Sequence, residues 1–268
     1  MRTVVHQPLF WLSLHALALW PQWVWYWQRL VDGSDEPLGV IALLTLAILV
    51  ARLAHRMRRA PDQRWLVAAG LLTLGSALAW QATPLMSALV GVLALAAGLA
   101  AWLPGDVPRL PYTGLLVLSL PLLSSLQFYG GYPLRVITAQ LSCWILQLTG
   151  FLAERSGSSI QVSGHLVVVD APCSGIQMAW MAYFAAFAAA AARAMHDRIL
   201  LRRLPLVGLL VLTGNTLRNT ILVAWEARGS TPGELWHQAI GLLLLAAVCL
   251  VVLKVMKPEV SRGIAIRA

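Results

Sequence analysis

Apolar residues in this chain come in long, nearly uninterrupted runs, each close to the ~20 residues that a bilayer-crossing helix needs. Eight runs qualify: Leu9–Val31, Leu38–Leu53, Trp65–Ala82, Pro84–Leu103, Leu110–Phe128, Pro172–Ala194, Leu204–Trp225 and Leu235–Val255. Between Tyr129 and Ala171 the pattern changes. Over Tyr132–Glu154 the apolar positions keep helical spacing, but Arg135, Gln140, Gln147 and Glu154 fall among them. That predicts an amphipathic helix at, or dipping into, the membrane interface. Ser156–Ser159 reads as a break. Ile160–Val169, Val-rich with Ser163-Gly164 between its arms, predicts a short β-hairpin. The expected fold is an all-α polytopic membrane protein of about eight transmembrane helices, with the interfacial helix and the hairpin on the extracytoplasmic side. We place a division after residue 128, with five spans before it and the interfacial helix, hairpin and last three spans in 129–268.

Composition excludes the soluble alternative. Hydrophobic residues make up 59% of the chain and charged ones 12%, where soluble domains carry roughly 25% charge. The net charge of +9 would suggest nucleic acid in a soluble chain. Here it has another origin. Arg52, Arg56, Arg58, Arg59 and Arg64 fall between spans two and three, and Arg193, Arg198, Arg202 and Arg203 between spans six and seven. Lys254, Lys257, Arg262 and Arg267 follow the last span. Eight crossings put all three clusters on one side, which the positive-inside rule makes cytoplasmic. Both termini then lie inside, in a cell inner (plasma) membrane, and the turns at Asp32–Glu36 and Glu226–Glu234 lie outside. The lipid bilayer is an expected partner and nucleic acid is not. No small-residue cleavage site follows Trp27, so the first run reads as a retained helix.

Candidate chemistry is confined to a few positions. Cys143, Cys173 and Cys249 make neither a disulfide framework nor a metal spacing. Phosphate loops, zinc patterns and dinucleotide fingerprints are absent, so no cofactor or metal is expected. Cys173 sits in Pro172-Cys-Ser-Gly175, where proline suits the first turn of span six. A thiol there would meet the positive end of the helix macrodipole, which favours thiolate. Arg218 interrupts span seven about two turns, or ~10 Å, below its outer end, and an arginine at that depth needs a partner or a wet cavity. Asn215 shares its helical face. His237 begins span eight.

Each of the three has an ordinary reading alone: a small buried hydrophobe, a snorkelling cation, an interfacial residue beside Trp236. Together they fall in one outer layer, where a Cys–His pair supplies nucleophile and general acid/base and a guanidinium holds a thiolate or an oxyanion. Cys173, Arg218 and His237 are therefore the candidate catalytic residues. Arg135, Asn215 and Ser174 are the candidate substrate-binding residues. Cys143, Cys249, His15 and His165 read as structural.

Pro172-Cys-Ser-Gly-Ile176, then Asn215-Thr-Leu-Arg-Asn219, then Trp236-His237 opening an apolar helix, resembles the exosortase/archaeosortase family. Tyr132-Pro-Leu-Arg135 and the hairpin ending in Val167–Asp170 are similar to it too. The likeness covers about residues 130–250, and the first four spans share only hydropathy with the family. It implies a membrane cysteine transpeptidase acting on membrane-anchored substrate proteins with a C-terminal sorting signal: a short motif, a transmembrane helix and basic residues. Carried over, Cys173 is nucleophile, Arg218 electrostatic partner and His237 acid/base. Three other readings stay open: a membrane cysteine protease that transfers nothing, a transporter using Arg218 for an anionic substrate, and a non-catalytic scaffold.

Overall fold

A computed structural model describes residues 7–33, 37–168, 171–228 and 233–257. Parts of the acidic turn at 32–36, the Val169–Asp170 end of the hairpin, part of the 226–234 loop, and the tail cations Arg262 and Arg267 lie outside the described residues. Among those described the chain forms ten α-helices and one small sheet.

The expected first span is two helices, α1 (Pro8–Ala18) and α2 (Trp20–Val31), meeting at Leu19. Pro21 explains the break: it has no N–H for the ladder, and its ring crowds the carbonyl one turn back. α3 (Leu38–Leu53) has its expected bounds and continues into a 3-10 turn at Ala54–Arg56. α4 (Gln63–Ala79) and α5 (Pro84–Trp102) start at side-chain caps, Asp62 accepting from Arg64 N and Thr83 from Met86 N. Small residues let this hairpin close tightly. Gln22 on α2 donates to Ser76 and Ser87 at 2.9 and 2.7 Å, and each serine donates to the other's carbonyl. Such polar glue suits helices with no hydrophobic drive to associate in lipid.

The largest departure from expectation follows. The fifth run yields only α6 (Leu110–Leu118), and α7 (Leu123–Leu148) then runs unbroken through the positions where one helix was to end and another begin. The two meet at 93°. Pro121 disfavours helix at Leu120, whereas Pro133, expected to lie at a helix start, is carried inside α7. Glu154, expected at the end of the amphipathic helix, lies in a strand.

The sheet has three strands, β1 (Ala153–Ser156), β2 (Ser159–Val162) and β3 (His165–Val168), antiparallel in that order. The hairpin with its turn at Ser163-Gly164 is as expected, with Ser163 at φ 49° and Gly164 at φ 83°. β1 was not, and Ser156–Ser159 is a tight turn pairing it with β2. After the sheet come α8 (Ile176–Ala192), α9 (Asp197–Glu226) and α10 (Glu234–Val255). α9 begins seven residues before the expected span seven, so Arg198, Arg202 and Arg203 stand on a helix and not in a loop.

Among the described residues, four helices are long and apolar enough to cross a bilayer: α3 with its 3-10 turn, α5, α9 and α10. A fifth crossing is counted if the bent pair α6–α7 is one span. The eight-span expectation is therefore supported at four or five places. Breaks at Leu19 and Pro121, and the late start of α8, shorten three of the expected spans.

The basic loops converge. Arg56 pairs with Asp106 at 2.7 Å, and Arg58 N donates to Trp102 O at 3.0 Å. The Asp197 carboxylate accepts from Arg109 N and Leu110 N, capping α6. Arg193 donates to Leu253 O, and Arg203 to Val255 O and Lys257 O. One end of the molecule thus gathers the ends of α3, α5, α8 and α10 with the starts of α6 and α9. Cys173 lies beyond the other end of α8, whose 17 residues span ~25 Å at 1.5 Å each.

Candidate active site

β2 turns Ile160 and Val162 inward onto Ala139, Cys143 and Leu146 of α7, and Cys173 completes that cluster. The small sheet is therefore a lid on one side of the cysteine, stapled to α7 by Gln147 Nε2 and Cys143 Sγ, both of which donate to Ala153 O. Cys173 itself lies in a 3-10 turn, Ala171–Ser174, and is 6% exposed. This corrects one expectation. Pro172 does not open the α-helix, which starts at Ile176, and Gly175 at φ 86° separates turn from helix. The thiol is thus offset from the α8 macrodipole that was to activate it.

α9 fixes the turn instead. Asn215 and Asn219, one helical turn apart, both point Nδ2 at the Cys173 carbonyl, at 2.9 and 3.2 Å. Asn219 Nδ2 also donates to Asn215 O at 2.9 Å, and Asn215 Nδ2 lies 3.3 Å from Thr138 Oγ1 on α7. Only glycine fits at 175. Besides its left-handed backbone, an added methyl would stand 2.8 Å from Asn215 Cγ. Ser174 Oγ donates to Gln127 Oε1 at 2.8 Å, tying the turn to the start of α7.

The three candidate catalytic residues meet around one nitrogen. His237 Nε2 is 3.8 Å from Cys173 Sγ and 3.3 Å from Arg218 Nη2. A guanidinium only donates, so this arrangement makes Nε2 the acceptor and puts the ring proton of a neutral His237 on Nδ1. The same lone pair faces the thiol. Arg218 reaches it by lying across Gly241, one turn after His237, where a methyl would stand 3.1 to 3.3 Å from the guanidinium atoms. The group is half-buried and bounded by apolar helices, where an ion–dipole contact is stronger than in water.

Of the substrate-binding candidates, Ser174 and Asn215 are buried, at 4% and 2% exposure, and brace the cysteine turn. Arg135 stands apart on α7, its guanidinium 6.0 Å from the centre of the Tyr132 ring, and among the described residues it is not hydrogen-bonded to the three. His15, read as structural, shares a 2.9 Å hydrogen bond with Thr73. Sequence reasoning did not single out Asn219, Gln127, Thr138 or Gly241. Asn219 had a readable signal, a second asparagine at i+4 from Asn215 on an apolar helix. Gly241 had one as well, at i+4 from His237. Gln127 and Thr138 had none, because their relevance depends on where α7 packs.

A family model described as transmembrane exosortase matches residues 27–254. The chain belongs to the transmembrane exosortase family. The match takes in most of the N-terminal helices, beyond the 130–250 region where the motifs lie. No curated protein and no solved structure gives a match. In this exosortase-family chain the Cys–Arg–His cluster and its asparagine brace all fall within the matched residues.

Proposed function

We propose that the protein is an integral-membrane cysteine transpeptidase that cleaves the C-terminal sorting signal of membrane-anchored exported proteins and passes the N-terminal part to an acceptor amine. The observation that carries this reading is the convergence of Cys173 and Arg218 on one nitrogen of His237. Arg218 and His237 are each costly alone in an apolar setting, and their meeting with a thiol from a third element is unlike a packing accident.

The chemistry runs as follows. His237 Nε2 takes the thiol proton, and an imidazolium N–H can no longer accept from Arg218. The guanidinium is released toward the thiolate and the developing oxyanion. Cys173 Sγ bonds to the scissile carbonyl carbon, and the tetrahedral oxyanion is held by Arg218. His237 returns its proton to the leaving amine as the C–N bond breaks, which leaves a thioester on Cys173 and a free C-terminal fragment. An incoming amine attacks the thioester, giving a new amide and regenerating the thiol; water in its place gives the hydrolysis product.

Eight crossings accompany this reading, with α1–α2, α4 and α8 as short spans. The converged basic loops mark the cytoplasmic end, and the cysteine turn faces the exterior at the depth where a substrate's membrane helix emerges. Two results test it. His237→Ala should leave co-purification with a membrane-anchored substrate unchanged while lowering cleavage by roughly 10²–10⁴-fold; loss of both together contradicts an acid/base role. In whole cells, a membrane-impermeant thiol reagent should label Ser156→Cys and spare Arg59→Cys. The opposite pattern overturns the orientation.

A further inference from the structure

Two cavities flank the cysteine turn, and Gly175 lines both. The smaller, about 160 Å³, lies between α7, α8 and α9. Its walls are apolar apart from Thr138, Ser174 and Asn215, and Arg218 is not among them. The larger, about 290 Å³, lies between the start of α3, the first turns of α8 and the first half of α10. It has Arg218 in its wall, together with two amide side chains, Gln177 on α8 and Gln238 on α10.

We infer that the larger cavity is the subsite that takes the extended main chain around the scissile bond, and that the peptide reaches it from the bilayer side between α3 and α10. The inference rests on the proposed transpeptidase reading. Its first support is geometric. The scissile oxygen must reach Arg218 at the moment its carbon reaches Cys173, and of the two cavities only the larger presents Arg218. His237 joins that guanidinium to the thiol through contacts of 3.3 and 3.8 Å.

Chemical fit is the second support. A primary amide both donates and accepts, as a peptide unit does, so two glutamines on facing helices suit an extended backbone of any sequence. Gln238 Nε2 donates to Glu234 Oε1, one turn back on the same helix, at 3.1 Å. The volume is close to the ~300 Å³ lower limit of ligand pockets, enough for a short stretch of chain and not for a folded partner. The third support is access. α10 is mostly exposed along its length, and Leu242, in the cavity wall, is 69% exposed. A substrate tethered by its own membrane helix lies on that side, whereas the sheet and α7 close the opposite one.

The test reads access to the thiol without requiring turnover. The purified full-length protein in detergent is treated with N-ethylmaleimide, and the alkylation rate of the Cys173 peptide is followed by mass spectrometry. Met181→Trp, which fills the larger cavity, should slow alkylation of Cys173 at least tenfold, and Leu212→Trp, which fills the smaller one, should change it less than twofold. Equal slowing, or the reverse order, overturns the inference. Alkylation of buried Cys143 reports any loss of fold, in which case Met181→Phe gives the same reading with less bulk.

A second arm uses a synthetic peptide carrying a substrate's membrane helix and its extracytoplasmic flank. Gln177→Leu with Gln238→Leu should raise KM about tenfold with kcat retained, an effect of the size expected for lost hydrogen bonds. A fall in kcat at constant KM counts against the subsite. Failure of the proposed function looks different: turnover by Cys173→Ala would sink the transpeptidase reading and leave the access result standing.

Discussion

Cys173→Ala is expected to lower substrate cleavage by roughly 10⁴–10⁶-fold, the range seen when the nucleophile of a concerted catalytic group is removed. Cys143→Ala and Cys249→Ala should change it less than about twofold. The contrast follows from position. Cys143 is spent on the Ala153 carbonyl, and Cys249 sits three turns along α10 from His237. The fold should survive the Cys173 substitution, because the brace grips the backbone carbonyl at 173 and not the sulfur. Detergent unfolding of Cys173→Ala should therefore match the unsubstituted protein within the error of the measurement, and a large shift would mean that the lost cleavage reports a damaged structure. The assay is cleavage of a membrane-anchored substrate in isolated membranes.

Arg218→Ala should cost about 10²–10³-fold in kcat, as removal of an oxyanion donor does elsewhere. Arg218→Lys should recover little of it. A lysine ammonium is a flexible point charge, and the site uses a planar fork that lies across Gly241 and still reaches His237. Gly241→Ala supplies an independent check: its methyl presses on the guanidinium without removing any charge. An intermediate loss of kcat is expected there, with KM little changed. Full activity in Gly241→Ala together with full loss in Arg218→Ala would mean that the charge matters and its placement does not.

The meeting of Cys173, Arg218 and His237 was more legible in the sequence than the fold around it, and the reason is physical. Arg218 and His237 break apolar runs, and polar groups in lipid are costly enough to be conspicuous. The depth of all three residues could be counted in helical turns once the basic loops fixed direction. What the hydropathy pattern did not carry was backbone geometry inside apolar stretches. Pro21 and Pro121 stand at helix breaks, while Pro133 is carried inside α7. The start of α8 was misplaced by four residues because Pro172 signals helix onset equally well for a 3-10 turn. β1 was invisible for a related reason: Ala153–Ser156 has no apolar alternation of its own, and its hold on α7 comes from Gln147 and Cys143 donating to Ala153 O. Its loss from the reading also hid the lid over Cys173.

Asn215 shows what spacing alone leaves out. Its spacing from Arg218 marks it as facing the site, and sequence alone made it a substrate contact. In the fold its Nδ2 donates to the Cys173 carbonyl and lies 3.3 Å from Thr138 Oγ1. That hydrogen bond ties α9 to the cysteine turn.

The central claim is that Cys173 forms a covalent bond to the substrate carbonyl. Intact-mass analysis of the protein quenched in acid during turnover of a membrane-anchored substrate tests it most directly. The mass should rise by that of the N-terminal fragment, on Cys173, and the adduct should vanish on treatment with hydroxylamine, which cleaves thioesters. Cleavage that proceeds with no adduct at Cys173 under any quench would contradict it.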